Sequence, residues 1–415
     1  MRFFHLALGL LLSFTIAAAA SATTVTFKSP LTITKGGIYT GNWQSLDSNT
    51  PAVSIQTTEP VTLLNCHINA TGDGIKSFMV GAQLTVHGCY GVGLDPKIYG
   101  KERGMFLRVA EAASVTVEHN DITGFAFGAN FWGNMRPSRF VFQYNRIHNL
   151  DGAESNGRGG RLVDSAHMRF GQDNGNHAVI MDSMQNTTYA EIAWNSFVQA
   201  GPFWSIGDVV NIYRSSGTWT APIEIHDNYI HGGYAARPEM VANCCAPNAV
   251  TSEAITADGS GADTSSTTVA HVHIFDNFVV NNGGSQGIGI NSGHDNQIFN
   301  NRIISTGRLR SNGHWFAATY SNPLTVWNQV YYQSSSVYYN NTAHDNTYGW
   351  VVMTLNSKGD ARAAPAHLVN PNFRGCPDNL CYNNHPVARV TSELEDAQFN
   401  AWRRNVEANH LRVGP

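Results

Sequence analysis

Asp182, Tyr213, Arg214, Asp258 and His294 lie at or just beyond the ends of short apolar runs in the middle of this 415-residue chain. Two carboxylates can divide acid and base duties when their surroundings push their pKa values apart. An arginine beside them stays charged and grips an anionic group through two nitrogens. A tyrosine or histidine can accept a proton if nearby positive charge lowers its pKa. Arg158, Arg161, His167, Arg169 and His177 crowd one Gly- and Asp-rich stretch and could hold an acidic chain. Asn291 and Trp327 add an amide and a ring face for binding. Each residue also has an ordinary use. Asp182 can cap a turn with Ser183, Arg214 can pair with Asp208 or Asp182, and His294 can be a turn residue.

These residues can meet only if the chain repeats. One phrase recurs: an apolar residue, two variable residues, Asn, one variable residue, another apolar residue. It holds Asn120, Asn145, Asn195, Asn228, Asn277 and Asn301. Steps of 24 or 25 residues separate 277 from 301 and 120 from 145, and the step of 50 from 145 to 195 leaves room for one skipped copy. A period in the twenties made of short strands describes one coil of a parallel β-solenoid. Coils stack at about 4.8 Å, so equivalent residues form ladders. Asn suits such a ladder because it tolerates a left-handed bend and its amide can pair with the Asn above and below. These Asn are read as structural.

Cys66 and Cys89 occupy the same frame position in earlier copies, which makes them neighbours on adjacent coils. A Cα separation of about 4.8 Å admits a disulfide, and two buried free thiols are the alternative. Cys376 and Cys381 could close a small loop, whereas the adjacent Cys244 and Cys245 would bond outward or stay free. Residues 1–22 carry a short basic start, an apolar run and Ala20-Ser21-Ala22, the pattern of a secretory signal peptide. A secreted or periplasmic location follows, with cleavage near Ala22. No other stretch is apolar for long enough to span a membrane.

The expected organisation is a cap with lead-in strands over 23–60, coils over 61–352 and a C-terminal extension over 353–415. In the extension, Ser392-Glu393-Leu394-Glu395 reads as a capping box. The helix it opens would carry Leu394, Ala397, Ala401 and Trp402 on one side and either close the solenoid or pack along it. Charged residues make up 13% of the chain with a net charge of −4, which argues against a nucleic-acid partner. A monomer is expected.

On the Asn phrase, the coil length and the signal peptide, residues 60–352 resemble the secreted right-handed parallel β-helix proteins of the pectate-lyase-like superfamily. The resemblance implies an all-β right-handed parallel β-helix and a polysaccharide partner. Members include lyases, hydrolases, epimerases, esterases and non-enzymatic fibres, so fold alone does not assign an activity. The motifs of polygalacturonase-like hydrolases are missing in order, with Gly293-His294-Asp295 the nearest fragment. No lysine lies between Lys101 and Lys358, so the central coils offer no lysine base.

In these proteins substrate usually lies along one exposed sheet. Taking Val210, Ile212, Ile255, Ala257, Ile288, Ile290, Leu324 and Val326 as inward leaves Tyr213, Asp258, Asn291 and Trp327 in one outward ladder. Asp182 joins it from the coil before. Asp182 and Asp258 would then stand about 9–10 Å apart, two coil steps. That is at or just beyond the far end of the roughly 6.5–9.5 Å of an inverting glycosidase and far from the roughly 5 Å of a retaining one. A lyase would need Arg214 on the uronate carboxylate and Tyr213 or His294 as base. The favoured expectation is a polysaccharide lyase acting on a uronic-acid polymer by β-elimination. An inverting glycoside hydrolase using Asp182 and Asp258 is second, and a non-catalytic polysaccharide-binding or surface protein third. No cofactor is assigned, and Ca2+ is the one candidate. Asp151, Glu154, Asp164 and Asp173 could offer oxygen ligands to Ca2+, although solvated loop acids are the simpler reading.

Overall fold

A computed structural model describes residues 25–162, 176–199, 206–234, 253–282, 286–310, 313, 322–328, 332–353, 366–377 and 379–415. The strands are short, mostly three to five residues, and alternate inward apolar with outward residues. Val53–Ile55, Val61–Leu64 and Ser114–Glu118 are examples, with Val53, Ile55, Val61, Leu63, Val115 and Val117 wholly buried or nearly so. Such period-2 segments cannot bury their apolar face alone and must stack on a neighbour. They stack into three sheets of ten, eleven and twelve strands among the described residues, each sheet taking one strand from every turn of the chain. Among the described strands pairing is parallel, apart from Thr347–Met353 meeting Ala366–Leu368 in antiparallel fashion. The fold is a right-handed parallel β-helix. Its first coil begins at Leu31–Ile33, already in register with Val53–Ile55.

The Asn phrase forms a ladder at the bend between the eleven- and twelve-stranded sheets. Asn145 is typical. Its Oδ1 accepts from the backbone N–H of Asn120 at 3.0 Å, and its Nδ2 donates to the Val117 carbonyl at 2.9 Å and to Asn195 Oδ1 at 3.1 Å. The same pattern runs on through Asn228, Asn277, Asn301 and Asn346 to Asn384. One expectation needs correction. The ladder Asn are not the left-handed residues of the bend. The residue just before each one is: His119, Tyr144, Trp194, Asp227, Asp276, Asn300, Asp345 and Asn383 all have φ between 52° and 57°. The Asn itself has no positive φ and spends its amide on the coils above and below.

Cys66 and Cys89 continue the ladder as a disulfide with Cα atoms 4.5 Å apart, and the Cys89 backbone N–H donates to Asn120 Oδ1 at 2.9 Å. Gly88 supplies the left-handed residue there (φ 66°), where a Cβ would fall 2.4 Å from Asn65 Oδ1. Cys376 and Cys381 form the second disulfide. Cys244 and Cys245 lie outside the described residues, as do residues 1–22, where the signal peptide is expected. No helix among the described residues is long and apolar enough to cross a membrane.

The C-terminal helix, Ser392–Ala408, packs along the side of the solenoid. Its N-cap is Thr391, whose hydroxyl accepts from the Leu394 N–H, one residue earlier than the expected Ser392 cap. Its buried stripe is Glu395, Gln398, Trp402 and Val406; of the expected face Trp402 is buried and Ala401 packs against the same cluster, whereas Ala397 is exposed. Trp402 sits on Tyr229 and donates through Nε1 to the Asp227 carbonyl at 2.7 Å. Gln398 accepts from Arg302 Nε at 2.7 Å, and Glu395 lies 3.1 Å from Arg310. The helix therefore binds a sheet face that is polar in part.

Candidate functional site

The ten-stranded sheet carries the residues expected to do chemistry. Asp182 pairs with Tyr213 and Tyr213 with Asp258 on successive strands. Val210, Ile255, Ile288 and Leu324 stack inward, as do Ile212, Ala257, Ile290 and Val326. Asn291 and Trp327 directly follow the last two strands, and their backbone N–H groups donate to Ala257 and Ile290 respectively. Asp182 and Asp258 are thus two coil steps apart, or about 10 Å along the stack.

A second polar row was not visible at the level of the sequence. Two residues before the first inward position of each strand stand His177, Asp208, Glu253, Gln286 and Asn322, one per coil by the same register. The first four are nearly covered, at 1–8% exposure, and the Gln286 and Asp208 side chains lie against outward positions of the sheet. The Gln286 amide lies where a Cβ on Gly289 would sit, 2.3 Å away, so only glycine fits below it. Asp208 takes a hydrogen bond from the Asn211 amide in the same way. The available signal was the polar residue that precedes each of Ala178, Val209, Ala254 and Gly287, which alternation counting passes over.

Asp208 is the most perturbed acid of the face. Burial pushes its carboxyl well above the usual carboxylate range, and the hydrogen-bonded Glu253 carboxyl and the charge of Asp258 push the same way. Two carboxyls bonded to each other at such a site must share a proton. Asp182 is also raised by burial, opposed by a 2.7 Å bond from Ser183 Oγ and by the Arg214 charge. Several polar atoms of this face are buried without a partner: Asn211 Oδ1, Thr256 Oγ1, Asn291 Oδ1 and both ends of the Gln286 amide.

Other expected roles change on inspection. Arg214 is not a free cation, because its Nε bonds Asp263 Oδ1 at 2.7 Å and the Asp263 side chain is fully covered. Asp263, rather than Asp208 or Asp182, is its direct partner. Burial raises the Tyr213 hydroxyl, and the neighbouring acids offset the help from Arg214, so it is not the activated base foreseen. His294 has both ring nitrogens engaged, Nδ1 with Asp295 at 2.7 Å and Nε2 with the Ser265 carbonyl at 2.9 Å, and its ring stacks on Tyr339. It belongs to the bend between sheets. Donor atoms of His271, His294 and Asp295 lie within 4.8 Å of one another, but these bonds already occupy His294. Trp327 lies under the Arg374 guanidinium, 4.9 Å from the ring centroid.

The cationic stretch is likewise spoken for. Arg161 and Arg103 both grip Asp151, at 2.9 Å and 2.7 Å. This neutralises Arg161 as an anion holder and removes Asp151 as a Ca2+ ligand. Burial pulls the His177 pKa down to about 4, so the ring is neutral at pH 7, and its Nδ1 accepts from the Asp208 N–H at 3.2 Å. It serves the row instead of carrying a charge. His167, Arg169, Asp164 and Asp173 lie outside the described residues. Comparison with known protein families, curated proteins and solved structures gives no match for this chain.

Proposed function

We propose that this protein is a secreted glycoside hydrolase of the inverting kind, related to the pectate-lyase-like β-helix enzymes. Its substrate is a glycan laid along the ten-stranded sheet. The observation that carries this reading is the cluster of acids on the outward face of the central coils, two of them, Asp208 and Asp182, with pKa raised. Inverting hydrolysis needs one carboxyl that keeps its proton and one carboxylate that activates water on the opposite face of the sugar, with a gap between them for that water. Asp182 takes the acid role and Asp258 the base role across Tyr213. The Asp208–Glu253 pair keeps a further proton beside Asp258. Unpartnered amide and hydroxyl groups of Asn211, Thr256, Gln286 and Asn291 suit the hydroxyls of a sugar.

Elimination, the favoured expectation from the sequence, receives less support. A lyase must neutralise a uronate carboxylate, and the arginine intended for that role is bound to Asp263. The surrounding acids would repel a second carboxylate. The leader over 1–22 and the two disulfides, Cys66–Cys89 and Cys376–Cys381, support export to an oxidising compartment.

The test incubates the chain from Thr23 onward with neutral and acidic polysaccharides, following reducing ends, the ultraviolet absorbance of a C4–C5 double bond, and the anomer first released by NMR. The expected result is reducing ends without absorbance and with inverted configuration. Removing either proton-transfer group, as in Asp182→Asn or Asp258→Asn, is expected to lower the rate about 10²–10⁴-fold. Absorbance would return the assignment to a lyase, and activity unchanged in Asp258→Asn would remove the base.

A further inference from the structure

The ten-stranded sheet changes its charge along its length. Lys76 and Arg108 lie in register on adjacent strands, both on the outward face, two coils and more ahead of Asp182. Like charges placed opposite one another on neighbouring strands repel. Here they are only partly compensated. Asp73 is 3.9 Å from Lys76 and 3.6 Å from Arg108, a single carboxylate shared by two cations. The exposed ring of Phe78 lies under both, 4.7 Å from Lys76 Nζ and 5.4 Å from the Arg108 guanidinium carbon. Both cations line an open cleft of about 490 Å³. Across it, Glu154 contributes a carboxylate whose Oε2 is buried without a hydrogen-bond partner.

We infer that this cleft is an acidic-sugar subsite: the carboxylate or sulfate of a substituted sugar sits between Lys76 and Arg108, and a hydroxyl of the same sugar donates to Glu154. The donor set asks for such a ligand. Lys76 and Arg108 share the single carboxylate of Asp73, and the buried, unpartnered carboxylate oxygen of Glu154 calls for a donor. The inference deepens the hydrolase reading by naming a substrate class, a glycan with a charged substituent located upstream of neutral sugars. The acids at Asp182 and Asp258 would then meet an uncharged part of the same chain.

Equilibrium binding tests it without turnover, so it stands or falls apart from the hydrolase assignment. Isothermal titration calorimetry at fixed ionic strength would use sodium glucuronate, inorganic sulfate and glucose as probes. Both anions are expected to saturate one site, and glucose to bind at least tenfold more weakly than glucuronate. Lys76→Met combined with Arg108→Met is expected to weaken both anions at least tenfold, and Arg108→Lys to retain most of the binding and so control for folding. Glu154→Ala is expected to weaken glucuronate but leave sulfate binding no weaker. Equal binding of glucose and glucuronate, no saturable anion binding, or an undiminished titration in the double variant would each overturn the subsite.

Discussion

Asn195→Ala isolates what the Asn ladder contributes to the fold. The Asn195 Oδ1 accepts from the backbone N–H and the amide of Asn145, and its Nδ2 donates to the Phe142 carbonyl at 2.8 Å and to Asn228 Oδ1 at 3.0 Å. Alanine removes all four bonds. Asn228 Oδ1 keeps the Asn195 backbone N–H, and the Asn145 amide keeps the Val117 carbonyl. The Asn145 N–H and the Phe142 carbonyl lose these partners at a buried bend. Each buried group left unsatisfied costs about 1–3 kcal/mol, which places the total near 4 kcal/mol. Asn384 ends the ladder and is partly exposed, so water can replace its bonds; Asn384→Ala is expected to cost about 1 kcal/mol. Guanidinium unfolding followed by far-UV circular dichroism reads both. Slopes must agree with the parent chain before midpoints are compared, because long solenoids can lose cooperativity. Equal costs for the two variants would refute the argument, since they would mean that a buried rung is no more than a surface turn.

Two further outcomes follow. Burial alone would lower the His226 pKa, but hydrogen bonds to Asp227 at 2.9 Å and Glu191 at 3.0 Å outweigh it and raise it to about 9. The folded value lies above the unfolded value of about 6.5, so this contribution, at most about 3 kcal/mol, is complete below pH 6.5 and lost as pH rises through 9. Unfolding midpoints measured from pH 6 to 10 should fall in the parent and flatten in His226→Gln, whereas parallel curves would sink the assignment. Cys66→Ser with Cys89→Ser opens a loop of 23-residue separation, for which chain entropy gives about 3 kcal/mol of lost stability. A change below about 1 kcal/mol by the same unfolding assay would show that the stacked positions hold without the bond.

The fold was legible because its period is written in side chains that cannot be exchanged freely. A ladder rung must carry both a donor and an acceptor on a short stem, and Asn does so at Asn120, Asn145, Asn195, Asn228, Asn277 and Asn301. The register of the ten-stranded sheet was legible for a related reason. A slip by one residue would turn Val210, Ile255 and Ile288 toward water, so alternation alone aligns Asp182 with Tyr213 and Asp258. What escaped reading lies where period and polarity part company. Asp208, Glu253 and Gln286 stand before the alternating run, and only their shared offset from the inward residues reveals a row. Asp263 reaches Arg214 from a segment of 49 residues' separation that carries no repeat. The helix misled for the opposite reason. Its inward Glu395 and Gln398 satisfy Arg310 and Arg302, so a hydrophobic criterion found Trp402 and Ala401 but missed these two. In a solenoid the core repeats and can be counted, whereas the polar partners that give one coil its chemistry come from loops and flanks that repeat nothing. A reading of function from such a sequence therefore has to begin from the register of the sheet and then ask, coil by coil, which outward group lacks a partner.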